Sequence, residues 1–294
     1  TAGYAVQTAF IGVGAVIGSI FPWLAEQWGV SNEAAGGGIP DTVRYAFWFG
    51  GAALFAAVLW TAVSTKEYSP EEMSAFDEPA DHPDGDATLR ALASRRFGTS
   101  IAWIVAGALV VLGVAEAGLE KEMYLLGGLL VLYGIASLVA ILLARGGSSN
   151  NILSHIVGDF SGMPPLMKRL ALVQFFSWSA LFIMWIYTTP VVARNFYNSP
   201  DPASAGFQDA GNWVGVLFAV YNGVAAIAAV TLLPFLADRI GKSKTHIVGL
   251  LCGAAGYASF FLIRDPQWLI LSEIGVGIAW ASILAMPYAI LASN

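Results

Sequence analysis

The sequence predicts an all-α, polytopic membrane protein. Of its 294 residues, 57% are hydrophobic and only 12% are charged, whereas about 25% are charged in a soluble globular protein. Long apolar runs recur along the chain, and the last of them, residues 268–294, contains a single ionisable side chain, Glu273. About 20 helical residues cross the roughly 30 Å hydrocarbon core of a bilayer. Runs of this length therefore predict transmembrane helices.

Eight runs are predicted spans: residues 3–24, 43–64, 99–117, 123–144, 166–192, 212–237, 247–263 and 268–294. The third and fourth have almost no polar side chains in their interior, so we expect them to form an extra, lipid-facing hairpin with a structural role. Before the hairpin lies an acidic linker, residues 67–98, whose composition predicts a solvated loop. After it lies a polar connector, residues 145–165, whose amphipathic middle part, residues 152–160, is expected to lie along the membrane interface.

The distribution of basic residues predicts the orientation of these spans. If residue 1 lies on the cytoplasmic side and the spans alternate in direction, ten Lys and Arg residues fall in cytoplasmic loops and four in external loops. This excess satisfies the positive-inside rule. We therefore expect a multi-pass protein of a cell membrane, with the lipid bilayer as its surroundings and no nucleic-acid partner.

The first predicted span carries a pattern typical of helix–helix contact. Gly14 and Gly18 form a G-x-x-x-G pair on the same side of the helix as Gln7. Small residues at this spacing let two helix backbones approach closely. We therefore expect this side to be a packing surface for another helix.

The sequence offers no constellation for enzyme chemistry. An enzyme would need a nucleophile–base pair or a metal cluster at membrane depth, but the ionisable side chains inside the spans are two well-separated glutamates, Glu116 and Glu273. The single cysteine, Cys252, cannot form an intramolecular disulfide. The three histidines lie in three separate polar regions without metal-ligand spacing. We therefore predict a protein that is not an enzyme and that has no catalytic residues, cofactor or metal.

One side of the span 166–192 is unusually polar and aromatic. The residues that share it at helical spacing are Gln174, Ser177, Trp178, Trp185 and Thr188. Aromatic faces can stack on the apolar side of a sugar ring and amides can bind its hydroxyl groups, whereas the alternative is helix–helix contact with Trp at the membrane interface. In the next span, Tyr221 and Asn222 are either a packing pair or part of the same substrate path.

The last span also has a polar side. At ideal helical angles that side contains Glu273, Gly277, Trp280, Leu284 and Pro287, with Tyr288 at its edge. We interpret it as the wall of a polar cavity, with Trp280 and Tyr288 deep enough to contact substrate. Glu273 lies about five residues from the outer end. It either extends to water as an interfacial carboxylate or faces the cavity and accepts protons from outside.

Several stretches together carry a resemblance to a known family. They are TAGYAVQT (1–8), TKEYSPEEM (65–73), LVQFFSWSALFIMWIYTTP (172–190), NWVGVLFAVYNG (212–223), GVGIAWASILAMPYAILA (275–292) and the loop ADRIGKSK (237–244). With them the sequence resembles the major facilitator superfamily, and within it the bacterial sugar transporters related to the sucrose and glycoside–cation symporters.

The resemblance implies a fold of twelve helices in two six-helix halves, with alternating access to a central site. Residues 1–66 then correspond to the last two helices of the first half, and residues 166–294 to the first four helices of the second. The hairpin 99–144 has no counterpart in the family. The first four and last two family helices are not represented, so we expect the chain to be a fragment with a partial major-facilitator fold.

The resemblance further implies a secondary active transporter of the bacterial inner membrane that moves a sugar or glycoside with protons. The alternatives are a sodium-coupled carrier, a carrier of another organic solute, or a non-transporting membrane scaffold. The substrate residues expected from this reading are Gln174, Trp178, Trp185, Tyr221, Asn222, Trp280 and Tyr288. Glu273 is the candidate for proton coupling, and Asp238, Arg239 and Lys242 are expected to form a cytoplasmic latch that breaks during the transport cycle.

Overall fold

The computed structural model describes residues 2–33, 38–66, 69, 92–119, 121–147 and 151–293, and this part of the chain is helical without any strand. The helices are α1 (Ala2–Gln27), α2 (Asp41–Ser64), α3 (Phe97–Ala117), α4 (Met123–Arg145), α5 (Ile152–Gly162), α6 (Pro165–Phe196), α7 (Ala205–Val230), α8 (Leu232–Ile240), α9 (Lys242–Ser259) and α10 (Leu269–Leu291). A 3₁₀ turn, Pro266–Trp268, leads into α10. The prediction of an all-α polytopic protein is confirmed, while most of the acidic linker 67–98 lies outside the described residues.

Seven helices of the described chain, rather than eight, are long and apolar enough to cross a membrane: α1, α2, α3, α4, α6, α7 and α10. The predicted span 247–263 is not among them. Its counterpart α9 has 18 residues, begins with the basic Lys242 and Lys244, and ends at Ser259. The apolar part of this helix is therefore shorter than the sequence pattern indicated.

The predicted span 212–237 is broken into two helices. α7 ends at Val230, and Thr231 separates it from α8. Pro234 lies in the first turn of α8, where its missing N–H costs nothing, but inside a continuous helix it would remove the bond to the carbonyl of Val230. The break therefore falls where Pro234 cannot donate a hydrogen bond to the carbonyl of Val230.

The chain forms two compact units, residues 67–165 and residues 1–66 with 166–294. In the first of these units α3 and α4 form the expected hairpin. They approach at glycines: a Cβ atom at Gly107 would lie 2.6 Å from the carbonyl oxygen of Gly127. The buried hydroxyl groups of Ser100 and Ser137 lie 2.9 Å apart in the same interface. The backbones of α3 and α4 are therefore in close contact within the hairpin.

α5 is amphipathic, as its sequence indicated. Ser154, Val157 and Gly158 are buried, whereas Ile152, Ile156 and Phe160 recur at one-turn spacing with more than half of each side chain exposed. A location along the membrane interface stays a prediction for this helix.

The hairpin contact gives a stability prediction with an adjacent control. Gly127→Val places a branched side chain where even a Cβ would meet Val111 at 2.7 Å, whereas a Cβ at Gly128 meets nothing within 4 Å. Overpacking costs about 1–3 kcal/mol, so thermal unfolding in detergent should show a clearly lower Tm for Gly127→Val than for Gly128→Val. Equal Tm values would contradict the packing described for this hairpin.

In the second unit, α7 is held between α1 and α10 by backbone contacts. A Cβ atom at Gly12 of α1 would lie 2.8 Å from the carbonyl oxygen of Asn222, and one at Gly277 of α10 would lie 2.5 Å from that of Tyr221. At the end of the α1–α7 interface, Asn212 Nδ2 donates to Glu26 Oε2 at 2.5 Å. The positions of Tyr221 and Asn222 are therefore fixed from both sides.

The packing surface predicted on α1 is wrong for the described helices. A Cβ atom at Gly14 or Gly18 would meet nothing within 4 Å, and Gln7 is exposed. Gly12, two residues before Gly14 and about 200° away from it around the helix, makes the contact instead. A G-x-x-x-G spacing alone therefore does not determine which side of a helix meets its neighbour.

α9 and α10 pack through another glycine series. Gly249, Gly253 and Gly256 of α9 lie against Ser282, Ala279 and Ser272 of α10, respectively. α10 is buried over most of its length, which agrees with a helix that is apolar on nearly all sides. It is the central helix on which the site is built.

Candidate functional site

Three tryptophans form a compact cluster, here called the tryptophan cluster. Trp178 and Trp185 lie two turns apart on α6, and Trp280 comes from α10. The ring centroids are 6.3 Å apart for Trp178–Trp185, 5.6 Å for Trp178–Trp280 and 5.8 Å for Trp185–Trp280, with interplanar angles of 73–90°. These are edge-to-face contacts, the geometry that the ring quadrupole favours.

Two residues of α7 anchor the indole groups. Trp185 Nε1 donates to Tyr221 Oη at 3.0 Å, and Trp280 Nε1 donates to Asn222 Oδ1 at 3.1 Å. The amide of Asn222 in turn donates to the carbonyl oxygen of Phe218 at 2.8 Å. Tyr221 and Asn222 are both buried. These hydrogen bonds give their polar groups the partners that burial requires.

The other two predicted substrate residues lie outside this cluster. Gln174, one turn before Trp178, is partly buried, and its Oε1 atom is buried without a hydrogen-bond partner among the described residues. Tyr288 is 51% exposed and stacks on Tyr4 of α1 at 5.7 Å. The structure thus brings together five of the seven predicted residues, places Gln174 beside them and places Tyr288 apart.

Glu273 is the most deeply buried ionisable side chain of the site. It is 0% exposed, and neither carboxylate oxygen has a hydrogen-bond partner among the described residues. The alternative of an interfacial carboxylate that extends to water is therefore wrong for this structure. An ionised carboxylate without a donor is costly to bury, so the geometry fits the neutral acid.

Glu273 lies on the stretch of α10 that packs against both α7 and α9. On the α9 side, Gly275 touches the carbonyl oxygen of Cys252. Gly277, one turn after Glu273, touches the backbone of Tyr221, which directs this side of α10 toward α7. Next to Glu273, the hydroxyl groups of Ser272 and Ser259 lie 2.6 Å apart and tie α10 to α9.

Sequence analysis missed Tyr257 and Met184. The hydroxyl of Tyr257 donates to the sulfur of Met184 at 3.7 Å and so links α9 to α6. Both residues line an apolar cavity of about 360 Å³, and Tyr257 also lines a second one of about 140 Å³. The sequence signal was the spacing of Gly249, Gly253 and Tyr257, which places the phenol on the packed side of its helix.

The expectation that His246 lies in a polar region is wrong. It lies inside α9, is 4% exposed and has Nδ1 2.8 Å from the hydroxyl of Ser282. The close approach of Gly249 to Ser282 draws the two helices together at this point. Among the described residues no group of three or more potential ligands could hold a metal ion.

The three predicted latch residues have different surroundings. Lys242 Nζ donates to the carbonyl oxygen of Ala289 at 3.0 Å, where a cation meets the negative end of the α10 dipole. The guanidinium of Arg239 lies 4.1 Å above the ring of Phe235. Asp238 is exposed, and within the described chain it makes no ion pair shorter than 4.0 Å. A latch that opens and closes stays a prediction.

These observations define the class of the protein. By the length and apolar composition of seven helices, it is a multi-pass α-helical membrane protein. Comparison with known proteins gives no matching family model, no matching curated protein and no matching solved structure.

Proposed function

We propose that this protein is a secondary active transporter of the major-facilitator type that moves a sugar or glycoside together with protons. The observation that carries the proposal is the tryptophan cluster, anchored by an amide and a phenol on helices of membrane length, with a buried carboxyl group two turns before Trp280 on the same helix. Small-molecule sites are typically lined by aromatic side chains with a few well-placed polar groups.

The composition of the cluster favours a sugar over other solutes. A pyranose has an apolar face that stacks on an indole ring and a rim of hydroxyl groups that needs donors and acceptors. Trp178 and Trp185 are partly exposed, and the unpartnered Oε1 of Gln174 lies one turn away from Trp178. A sugar that inserts beside these rings gives that oxygen the partner it lacks.

Glu273 supports proton coupling. An ionisable residue inside a membrane helix is rare and usually functional, and this one is fully buried two turns before Trp280 on α10. A carboxyl group that is neutral when buried and ionised when opened to water carries one proton per cycle. Sodium would instead need several oxygen ligands, whereas within the described part of the chain neither carboxylate oxygen of Glu273 has a polar partner.

Transport itself is the test of the proposal. The full-length protein is reconstituted in liposomes and supplied with labelled monosaccharides, disaccharides and glycosides under an inward proton gradient. We expect saturable uptake of at least one of them, stimulated by the gradient and unchanged when sodium replaces potassium. Uptake that requires sodium would favour the sodium-coupled alternative. Absence of flux for every sugar under both gradients would leave a carrier of another solute or a scaffold.

Gln174→Leu separates binding from folding. The buried Oε1 of Gln174 has no partner in the described structure, and removing an unsatisfied buried polar atom is neutral or stabilising. We therefore expect an unchanged or higher Tm but weaker sugar uptake, measured as a higher half-saturation concentration. Unchanged uptake would remove Gln174 from the site.

A further inference from the structure

A groove runs between α6 and the end of α9, on the side of α6 that faces away from the tryptophan cluster. It contains the apolar cavity of about 360 Å³, which is lined on α6 by Ala180, Ile183, Met184, Tyr187, Thr188 and Val191. At about 100° per residue, Ala180, Tyr187 and Val191 lie roughly 180–220° around the helix from Trp178. The groove is therefore separate from the proposed sugar site.

A second cavity, of about 450 Å³, continues the groove to the end of α6. The two cavities share Val191, Phe260 and Phe261. The second cavity is also lined by Asn195, in the last turn of α6, and by Arg264, which lies between α9 and the 3₁₀ turn that leads into α10. An apolar groove thus leads to a mouth that contains one amide and one cation.

The length of the groove matches one leaflet of a bilayer. Ala180 and Asn195 are separated by about 22 Å along α6, at 1.5 Å per residue. A bilayer is about 40–45 Å thick with its headgroups, so each leaflet measures roughly 20–22 Å. α6 has the length and composition of a membrane span and ends at Phe196. The mouth therefore lies at the level of the headgroups, and the inner end lies near the midplane of the bilayer.

The walls of the groove suit an acyl chain. Ile183 and Tyr187 are 59% and 57% exposed, so the groove is open along its side. The buried part of the wall contains two hydroxyl groups that both donate to Met184: Thr188 to its carbonyl oxygen at 2.6 Å, and Tyr257 to its sulfur at 3.7 Å. Because these groups already have partners, an apolar chain can cover them without leaving a donor unsatisfied.

The mouth of the groove carries a positive charge. Arg264 is exposed, and within the described chain its guanidinium forms no ion pair shorter than 4.0 Å. The neighbouring Asp265 accepts a hydrogen bond from the backbone N–H of Gln267 at 2.9 Å. Asn195 Nδ2 donates to the carbonyl oxygen of Val191 at 2.9 Å, which leaves Oδ1 as an acceptor. A guanidinium matches the geometry of a phosphate group, and the amide oxygen can accept from a hydroxyl group.

We propose that this groove binds one anionic phospholipid with a hydroxylated headgroup. The phosphate group pairs with Arg264, a headgroup hydroxyl donates to Asn195 Oδ1, and one acyl chain lies along α6 as far as Ala180. Basic residues at the membrane surface favour anionic lipids, and the apolar groove below the mouth supplies the chain contact that a free phosphate cannot use. The site lies beyond the proposed transport function and does not depend on it.

Native mass spectrometry of the full-length protein tests the headgroup contact. The protein is purified in detergent, freed of lipid and titrated with dioleoylphosphatidylglycerol or dioleoylphosphatidylcholine. We expect the first phosphatidylglycerol to bind more tightly than the first phosphatidylcholine. Arg264→Gln should weaken phosphatidylglycerol binding by about tenfold or more, because it removes a hydrogen-bonded charge pair. Arg194→Gln is the matched control, since Arg194 is also exposed at the end of α6 but does not line the groove.

Two isoleucines of α6 test the chain contact. Ile183 and Ile186 are 59% and 60% exposed, but only Ile183 lines the groove. Ile183→Trp should narrow the groove and weaken phosphatidylglycerol binding, whereas Ile186→Trp should bind as the wild type does. Glycerol phosphate, which has the headgroup chemistry without the chains, should not displace the lipid.

Each outcome decides the proposal. Equal binding by Arg264→Gln and the wild type, or equal affinity for the two lipids, would overturn the headgroup contact. Equal binding by the two tryptophan variants would place the lipid elsewhere, and absence of bound lipid would mean that another part of the full-length protein covers the groove. Arg264 and Ile183 are both exposed, so an unchanged Tm in thermal unfolding is expected and separates lost binding from misfolding.

Discussion

Glu273→Gln is expected to abolish accumulation of sugar against its gradient while sparing counterflow exchange. Glutamine has nearly the same shape as protonated glutamic acid and fits the buried position, but it neither releases nor binds a proton. A transporter fixed in the neutral state can exchange sugar across the membrane without using the proton gradient. In proteoliposomes the sugar should reach its equilibrium level under an inward proton gradient and go no higher.

Glu116→Gln is the matched control for this prediction. Glu116 is the other glutamate within a predicted span, but it is exposed on the α3–α4 hairpin. Accumulation should be as in the wild type. If Glu273→Gln still concentrated sugar, the proton acceptor would have to be another group.

Trp178→Ala is expected to weaken sugar binding strongly without preventing folding. Trp178 has edge-to-face contacts with both other members of the tryptophan cluster and is only partly buried. If contact between this ring and the substrate contributes about 1.4 kcal/mol of binding free energy, its removal lowers the affinity tenfold. The half-saturation concentration for counterflow should therefore rise by about tenfold or more.

Trp103→Ala provides the comparison for this substitution. Trp103 lies on α3 and also has an edge-to-face partner, Tyr133, at 5.8 Å, but it belongs to the other compact unit. We expect similar expression for both variants and normal sugar affinity for Trp103→Ala. Equal affinities in the two variants would exclude Trp178 from the binding site.

The sequence allowed the helices to be predicted better than their contacts. Hydropathy locates seven spans because the requirement for about 20 apolar residues is local. It did not locate the break at Thr231, although Pro234 carried the signal, and it extended α9 past Ser259. Both errors arise where apolar residues continue beyond the point at which the backbone leaves the helix.

The site was predictable only in part for the same reason. Helical spacing places Trp178 and Trp185 on one side of α6, which the structure bears out. That Trp280 meets both rings and donates to Asn222 depends on how α6, α7 and α10 cross. Glu273 could face water or protein from its sequence position, and its burial follows from packing by α7 and α9.

The backbone contacts of α7 have a consequence for how substrate preference could evolve. With Gly12 on one side and Gly277 on the other, neither α1 nor α10 accepts a larger side chain opposite Tyr221 and Asn222. α6, in contrast, meets Tyr221 and Trp280 through side chains. If the protein carries sugars as proposed, selection for a new one should accumulate substitutions on α6 and keep the glycines of α1 and α10.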